Sequence, residues 1–375
     1  MQVSRQSTFR VAELYAGTAR SVEPFRKWKR AEIVLLADNN QLAADTYLAN
    51  YPGAPYFVED LTDMEAGRIR KLAGGDIDVL LGCPPCQGFS DNGKRQNRDR
   101  RNRHLTNFAR LAVQLQPLAI AMENVPLAAG ANAYRRFVRT LDDAGYRWTA
   151  GIVNAALFGS CQCRQRLIYI GIHESVGKSP TLPQPAFGGE YHYYNYNTRS
   201  LCTLSDAQNA LLGVSPGTFQ VRDLLPYQHK RVGTEKIPVV GEVLRGLPRI
   251  GTTEAKRIGH VRWQHGPRQL RRMAKVAEGG QPKCSRRYYS QSYGRLHRRG
   301  LAKTITTAFP NAGSGRFWHP VRNRSLTLRE AARIQGFPDS FVFQEPLSKA
   351  AFLVGNALDA ALANVVFAAI KSFLS

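Results

Sequence analysis

The stretch Asp78–Asn102, DVLLGCPPCQGFSDNGKRQNRDRRN, runs a hydrophobic strand into two cysteines separated by two prolines, and then into a loop crowded with arginine. A short apolar run bounded by Gly and Pro reads as a buried strand. Working outward, FRVAELY (9–15), EIVLLAD (32–38), IDVLLG (77–82), PLAIAMENV (117–125) and RLIYIGI (166–172) read the same way. Between them, NQLAADTYLANY and HLTNFARLAVQLQ carry helical spacing, with Leu105, Phe108, Ala109 and Ala112 on one face. Strand–helix alternation over this length predicts an α/β fold with a doubly wound, mostly parallel sheet. Binding sites in such sheets lie at the carboxyl ends of strands, and GCPPCQ sits at one of those ends.

The chain has 375 residues, 43% hydrophobic and 10% aromatic, which is globular rather than disordered composition. Its formal net charge of +24 points to a polyanionic partner, nucleic acid first and an acidic membrane second. Six cysteines in so long a chain are too few for a disulfide framework and suit a reducing compartment. MQVSRQSTFR has no apolar segment of the secretory kind. The C-terminal AAFLVGNALDAALANVVFAAIKSFL is interrupted by Asn356, Asp359 and Asn364, and reads as one final amphipathic helix packed on a core.

Near residue 175 the texture changes. SPTLPQPAFGGEYHYYNYNTRS is rich in Pro, Gly and Tyr and reads as a linker into something less regular. From Arg245 to Lys303 there are 16 Lys and Arg against two acids, Glu254 and Glu278, interleaved with Trp263, Tyr288, Tyr289 and Tyr293. Such density, with planar side chains between, fits a surface that tracks phosphates and contacts bases.

The first strand ends ELYAGTAR, a glycine-bearing turn that lets a ligand approach the backbone and the following helix. The next strand ends at Asp38, 21 positions after Gly17 (38 − 17), the offset at which an acid meets a ribose hydroxyl pair. An adenosine-bearing cofactor follows from this pairing. No P-loop lysine pattern is present, which disfavours NTP hydrolysis.

For the cysteines three chemistries compete. A zinc site needs four ligands, and Cys83 and Cys86 have no obvious second pair: Cys161 and Cys163 are tightly spaced, Cys202 and Cys284 isolated, His260 and His265 distant. A thioredoxin-like pair would not account for the other 300 or so residues. The third option is one nucleophilic thiolate at the strand end, its pKa lowered by the cationic loop. Two further strand ends bear on the choice. MENVP puts Glu123 and Asn124 at a strand tip, where an acid needs a partner or a task. QCRQRLIYIG sets Gln162, Arg164 and Arg166 on alternate positions, hence on one face as the chain enters a strand. Ion pairing of these arginines with Glu123 is the structural alternative to catalysis.

The order glycine turn, GCPPCQGFS, ENV, QCRQR, basic region, LTLREAARIQGFPD and GNAL resembles a cytosine-5 DNA methyltransferase over nearly the whole chain. The resemblance implies a Rossmann-like S-adenosylmethionine-dependent methyltransferase sheet with a smaller irregular target-recognition domain. It makes Cys86 the nucleophile, leaves Cys83 without an essential counterpart, and makes Glu123 the acid that holds ring nitrogen 3 and the exocyclic amine. Arg164 and Arg166 match the active-site pair, with Arg166 nearest the cytosine carbonyl. S-adenosylmethionine is assigned to Tyr15, Ala16, Gly17 and Thr18, with Asp38 at the ribose, Asp60 near the adenine, and Pro84 and Asn356 closing the site. DNA contacts fall to Gln87, Ser90, Arg101, Arg262, Arg286 and Arg287, and DRRN (99–102) resembles the loop that closes on DNA. No metal is implied.

Three segments depart from the family pattern. Tyr15-Ala16-Gly17-Thr18-Ala19 stands for Phe-Ala-Gly-x-Gly, Glu-Asp-Leu at 59–61 for Gly-Asp-Ile, and GNALD lacks a hydrophobic-Pro continuation. The expected division is a catalytic domain over 1–180, completed by 345–375, with target recognition over 181–344. The expected molecule is a cytoplasmic monomer, nucleoid-associated if prokaryotic, acting on double-stranded DNA and on no membrane, with room for a partner restriction endonuclease. A tRNA methyltransferase on the same scaffold and a catalytically idle DNA-binding relative are the alternatives.

Overall fold

The computed structural model describes residues 8–85, 103–188, 193–195, 200–202, 235–282 and 292–375. Its centre is a seven-stranded sheet of β1 (Phe9–Leu14), β2 (Ala31–Asp38), β3 (Tyr56–Val58), β4 (Val79–Gly82), β5 (Ala119–Asn124), β6 (Tyr146–Asn154) and β8 (Gln165–His173). The short β7 (Gln162–Cys163) lies outside it. The order is β3-β2-β1-β4-β5-β8-β6. All pairs from β3 to β5 are parallel, and β8 runs antiparallel to both β5 and β6. The carboxyl ends of β1, β2, β4 and β5 therefore share one edge of the sheet, and the reversed β8 brings its first residues to that same edge.

Each face of the sheet is covered. On one, Leu80, Ile120 and Met122 pack against Leu105, Phe108 and Ala112 of α4 (Arg103–Leu115) and Phe137 of α5 (Asn132–Asp143), with α3 (Ala66–Ala73) adding Ile69. On the other, Val79, Leu81, Ala121 and Ile168 meet Phe25 of α1 (Glu23–Arg26), Ala44 and Tyr47 of α2 (Gln41–Asn50), and the C-terminal helix. Strands buried on both faces explain the continuous apolar runs in the sequence.

The C-terminal segment forms two helices rather than one, α10 (Leu347–Asn356) and α11 (Ala360–Leu374), bent by 41°. The bend has a local cause: Ala357 is extended and Asp359 caps α11 by accepting the Ala361 N–H at 2.8 Å. No single helix among the described residues is long and apolar enough to cross a membrane. Leu362, Val366 and Ile370 of α11 are buried in the second core layer.

Among the described residues, the rest of the chain is sparse in regular structure. It contains the short helices α6 (Val240–Val243), α7 (Thr253–Arg257), α8 (Pro267–Ala274) and α9 (Leu328–Ile334). A further core joins Val240, Leu296, Ile305, Phe309, Phe317 and Leu328 to Val354 of α10. Part of the segment read as a linker pairs instead: Tyr193–Asn195 runs antiparallel to Ser200–Cys202, and Phe187–Gly188 pairs with Glu235–Lys236. Buried arginines substitute for sheet hydrogen bonding here. Arg295 is 3% exposed and donates to the carbonyls of Met273, Val276, His319 and Arg322.

Candidate active site

The sheet edge explains how Glu123 and Arg166 meet. Glu123 pairs with Ile168 across the antiparallel β5–β8 ladder, and Arg166 lies two residues before Ile168, on the same face. Arg166 Nε stands 2.7 Å from Glu123 Oε1, with both side chains 13% exposed. Its other arm donates to the Gln165 carbonyl at 2.7 Å. A partly desolvated, charge-assisted pair of this kind fixes both groups in orientation.

Beside it, Asn124 is 2% exposed and its amide donates to the Pro84 carbonyl at 3.3 Å, while its oxygen accepts the Val125 N–H at 2.9 Å. The Glu-Asn-Val and Pro-Pro-Cys motifs are thus tied together directly, one residue of the pair facing outward as an acid and the next holding the neighbouring strand end. Cys86, Gln87, Ser90, Arg101, Arg286 and Arg287, like the segment 99–102, lie outside the described residues.

Arg164 goes elsewhere. The alternation expected across Gln162, Arg164 and Arg166 breaks, because β7 ends at Cys163 and β8 begins at Gln165. Arg164 is 1% exposed and donates to the carbonyls of Ile305 (3.1 Å), Gly355 (3.2 Å) and Ala357 (3.0 Å). Gln162, wholly buried, faces Asp359 Oδ2 (2.6 Å), Gln335 Oε1 (2.7 Å) and the Ile334 carbonyl (3.2 Å), and accepts the Ile305 N–H (3.1 Å). Ser160 donates to the same Asp359 oxygen at 2.7 Å. The Gln-Cys-Arg part of the motif therefore anchors the last motif of the chain, and Arg166 is the arginine seen paired with Glu123.

The glycine turn leaves open space above its backbone. Gly17 has φ +53°, and a side-chain carbon added there would meet nothing within 4 Å. Tyr15 (φ 58°) and Ala19 (φ 49°) also take left-handed backbone, unusual for residues with a Cβ. Ala19 thus holds, in a buried position, a conformation that glycine would adopt without strain. Asp38 closes the turn: its Oδ2 accepts the Gly17 N–H at 2.8 Å and its Oδ1 the Asn40 N–H at 3.0 Å. Burial raises its pKa against these bonds. The Thr18 hydroxyl is buried with no partner among the described residues.

Asp60 is exposed, and its hydrogen bonds with Thr62 hold its carboxyl below the usual range. It borders a cavity of about 380 Å³ shared with Met64, Glu65 and Arg68, which neither Gly17 nor Glu123 lines. Asn356 and Arg262 are exposed, Asn356 at the end of α10 and Arg262 in the loop before α8.

Two contributors had no sequence signal. Tyr56 of β3 donates its hydroxyl to the Gly17 carbonyl at 2.6 Å, buttressing the turn from a three-residue strand. Cys83, one residue past the end of β4, stands level with Glu123 on the neighbouring strand β5.

Comparison with known proteins places this geometry. The family model for C-5 cytosine-specific DNA methylases matches residues 9–372. The Type II methylase M.HgiDII of Herpetosiphon aurantiacus is 30% identical over 307 residues, 79% of this chain and 76% of that protein. The Type II methyltransferase M.DdeI of Desulfomicrobium norvegicum is 27% identical over 348 residues, 89% of this chain and 80% of that one. Among solved structures, a prophage-encoded DNA modification methyltransferase from E. coli superposes with TM-score 0.67 at 22% identity, covering 98% of this chain and 99% of that one. The Dnmt2 methyltransferase of S. pombe superposes with TM-score 0.61 at 16% identity, covering 98% and 99%. Those two likenesses bear on the fold, a Rossmann-like methyltransferase sheet. With the match running through all but the first eight and last three residues, the chain belongs to the C-5 cytosine-specific DNA methylase family and is a DNA cytosine-5 methyltransferase.

Proposed function

We propose that the chain transfers a methyl group from S-adenosylmethionine to carbon 5 of a flipped-out cytosine in a specific duplex sequence, through a covalent adduct with Cys86. The observation that carries the reading is the Glu123–Arg166 pair at 2.7 Å, on the sheet edge where Asn124 holds Pro84. Cys86 follows two residues later in sequence.

Thiolate addition to carbon 6 makes the Sγ–C6 bond and moves the C5–C6 π pair onto carbon 5. Ring nitrogen 3 gains a proton, held there by Glu123, which keeps the addition from building an unstabilised charge. Arg166 orients that carboxylate and faces the cytosine carbonyl, where it stabilises charge as aromaticity is lost. After methylation at carbon 5, a base removes the carbon 5 proton. The C5–H pair restores the double bond, and the C6–S pair leaves with the thiolate. Flipping costs a few kcal/mol of lost stacking and pairing, which contacts to the backbone offset.

S-adenosylmethionine supplies the methyl group. The open space over Gly17, the Thr18 hydroxyl, unpartnered among the described residues, and the Asp38 carboxylate beside them fit a ligand with ribose hydroxyls. Tyr15, Ala16, Asp60, Pro84 and Asn356 complete the proposed contacts. Arg164 serves in this reading as a positioning residue that fixes the Gly355–Ala357 backbone beside Asn356.

We assign target recognition to 181–344, with duplex contacts from Arg262 and, beyond the described residues, from Gln87, Ser90, Arg101, Arg286 and Arg287. The Type II names of the two relatives extend the proposal to a restriction–modification pair with a cognate endonuclease. The test is methyl transfer on duplex DNA and on tRNA side by side, followed by bisulfite sequencing of DNA from an expressing host that lacks cytosine methylation. Methylcytosine in one short DNA sequence is expected. Transfer to tRNA alone, or to neither, would reject the assignment.

A further inference from the structure

Cys83 has no counterpart among the residues assigned to the reaction, yet the sheet places it beside the most important of them. In the parallel β4–β5 ladder Val79 pairs with Ala119 and Gly82 with Met122. Continuing that register by one residue sets Cys83 level with Glu123, both projecting to the same face. The backbone there is held: the Cys83 N–H points to the Leu14 carbonyl at 3.4 Å, and Asn124 grips the next residue. In the order β4-β5-β8, Glu123 is therefore flanked by Arg166 from β8 on one side and by Cys83 at the end of β4 on the other.

The thiol's protonation state decides what it can do. Burial and the flanking carboxylates Glu123 and Glu13 push its pKa well up, against a smaller opposing effect of Arg166. A thiol so placed keeps its proton at neutral pH, so it is a donor and a poor nucleophile.

We propose that Cys83 is a positioning residue for methyl transfer: its thiol donates to the Glu123 carboxylate opposite Arg166, so that the acid is clamped from both sides at the angle needed to hold ring nitrogen 3. The proposal rests on the catalytic reading of Glu123 given above. It separates the two cysteines of the motif by task, Cys86 bonding to the base and Cys83 aiming the acid.

The experiment is a double-mutant cycle on Cys83 and Glu123. Single-turnover methyl transfer is measured on unmethylated chromosomal duplex DNA with saturating radiolabelled S-adenosylmethionine, alongside the Kd for the same DNA and the Tm of each variant. Cys83→Ala should slow the rate about three- to tenfold, the range of one net hydrogen bond to a charged group from a weak donor, with Kd and Tm nearly unchanged. Cys83→Ser, which still donates, should recover most of that loss. In a Glu123→Gln background Cys83→Ala should cost less than about twofold, because the bond it removes is already weakened. The same factor in both backgrounds, or a loss in Cys83→Ser equal to that in Cys83→Ala, would show that Cys83 acts by packing and not through Glu123. A wild-type rate in Cys83→Ala overturns the proposal outright. A wild-type rate in Glu123→Gln overturns the catalytic reading of Glu123 first, and the proposal with it.

Discussion

At Glu13 burial and charge conflict most directly. It lies in β1, 1% exposed, and burial raises its pKa from 4.5 to about 8, opposed by the hydroxyl of Ser21, which donates to it. Its second oxygen has no partner among the described residues. A carboxyl with a raised folded pKa holds a proton that the unfolded chain has released over the interval from about pH 5 to pH 8. Its contribution to stability is whole below its ordinary pKa and is lost as pH rises through the folded value. This one group should make unfolding easier by on the order of 1 kcal/mol per pH unit within that window. Glu13→Gln keeps a partner for Ser21 and removes the titration. Urea unfolding at pH 5.5, 6.5 and 7.5 should show a flatter pH dependence in the variant than in the parent. Equal slopes would mean that Glu13 is ionised in the folded protein.

At the scale of elements, the last motif depends on a close crossing. Gly355 of α10 passes so near the Thr306–Thr307 backbone that an added side-chain carbon would lie 2.3 Å from the Thr307 nitrogen and 2.5 Å from its Cα. Backbone cannot yield as a flexible side chain can. Gly355→Ala should therefore cost about 3 kcal/mol or more and displace the carbonyl that Arg164 holds. A Tm within a degree or two of the parent would disprove the crossing. Such long-range partners mark the limit of what the sequence showed. Strands with continuous apolar runs, β1, β2, β4, β5 and β8, were legible because both faces are buried. The β6 strand escaped notice because its exposed Arg147 and Trp148 interrupt any apolar run. The break at Arg164 was equally hidden, since alternation cannot report that its side chain serves carbonyls 141 to 193 positions away. Glu123 and Arg166 were legible as charges at strand ends. The placement of Cys83 beside Glu123 was not, because it follows from the β4–β5 register and not from the motif.

Over the whole molecule, the net charge of +24 is of two kinds. Arg262, Arg268 and Arg271 are exposed, while Arg295 and Arg316 are buried and donate to backbone carbonyls. Substituting Arg262 or Arg268 by Ala should weaken duplex binding alike for all sequences if the residue meets phosphate, reducing the salt slope by roughly one unit. A base contact would instead relax specificity at one position. Arg295→Ala should lower Tm markedly, since four carbonyls lose their donor. Anisotropy titrations over a salt series, with melting curves, separate the two classes. An Arg295→Ala protein with the parent's Tm and a reduced salt slope would place that arginine on DNA. Covalent bonding of one thiol of the motif to the base can be trapped with duplex DNA made with 5-fluorocytosine in place of cytosine. Fluorine cannot leave as a cation where the proton would, so addition and methylation proceed while release fails. With S-adenosylmethionine present, an adduct stable to denaturing electrophoresis should form, and fragment sequencing of the tryptic peptide Leu72–Lys94 should place it on Cys86. An adduct on Cys83, Cys161 or Cys163, or none with cofactor-saturated protein on DNA it methylates when unfluorinated, would rule out Cys86 as the nucleophile.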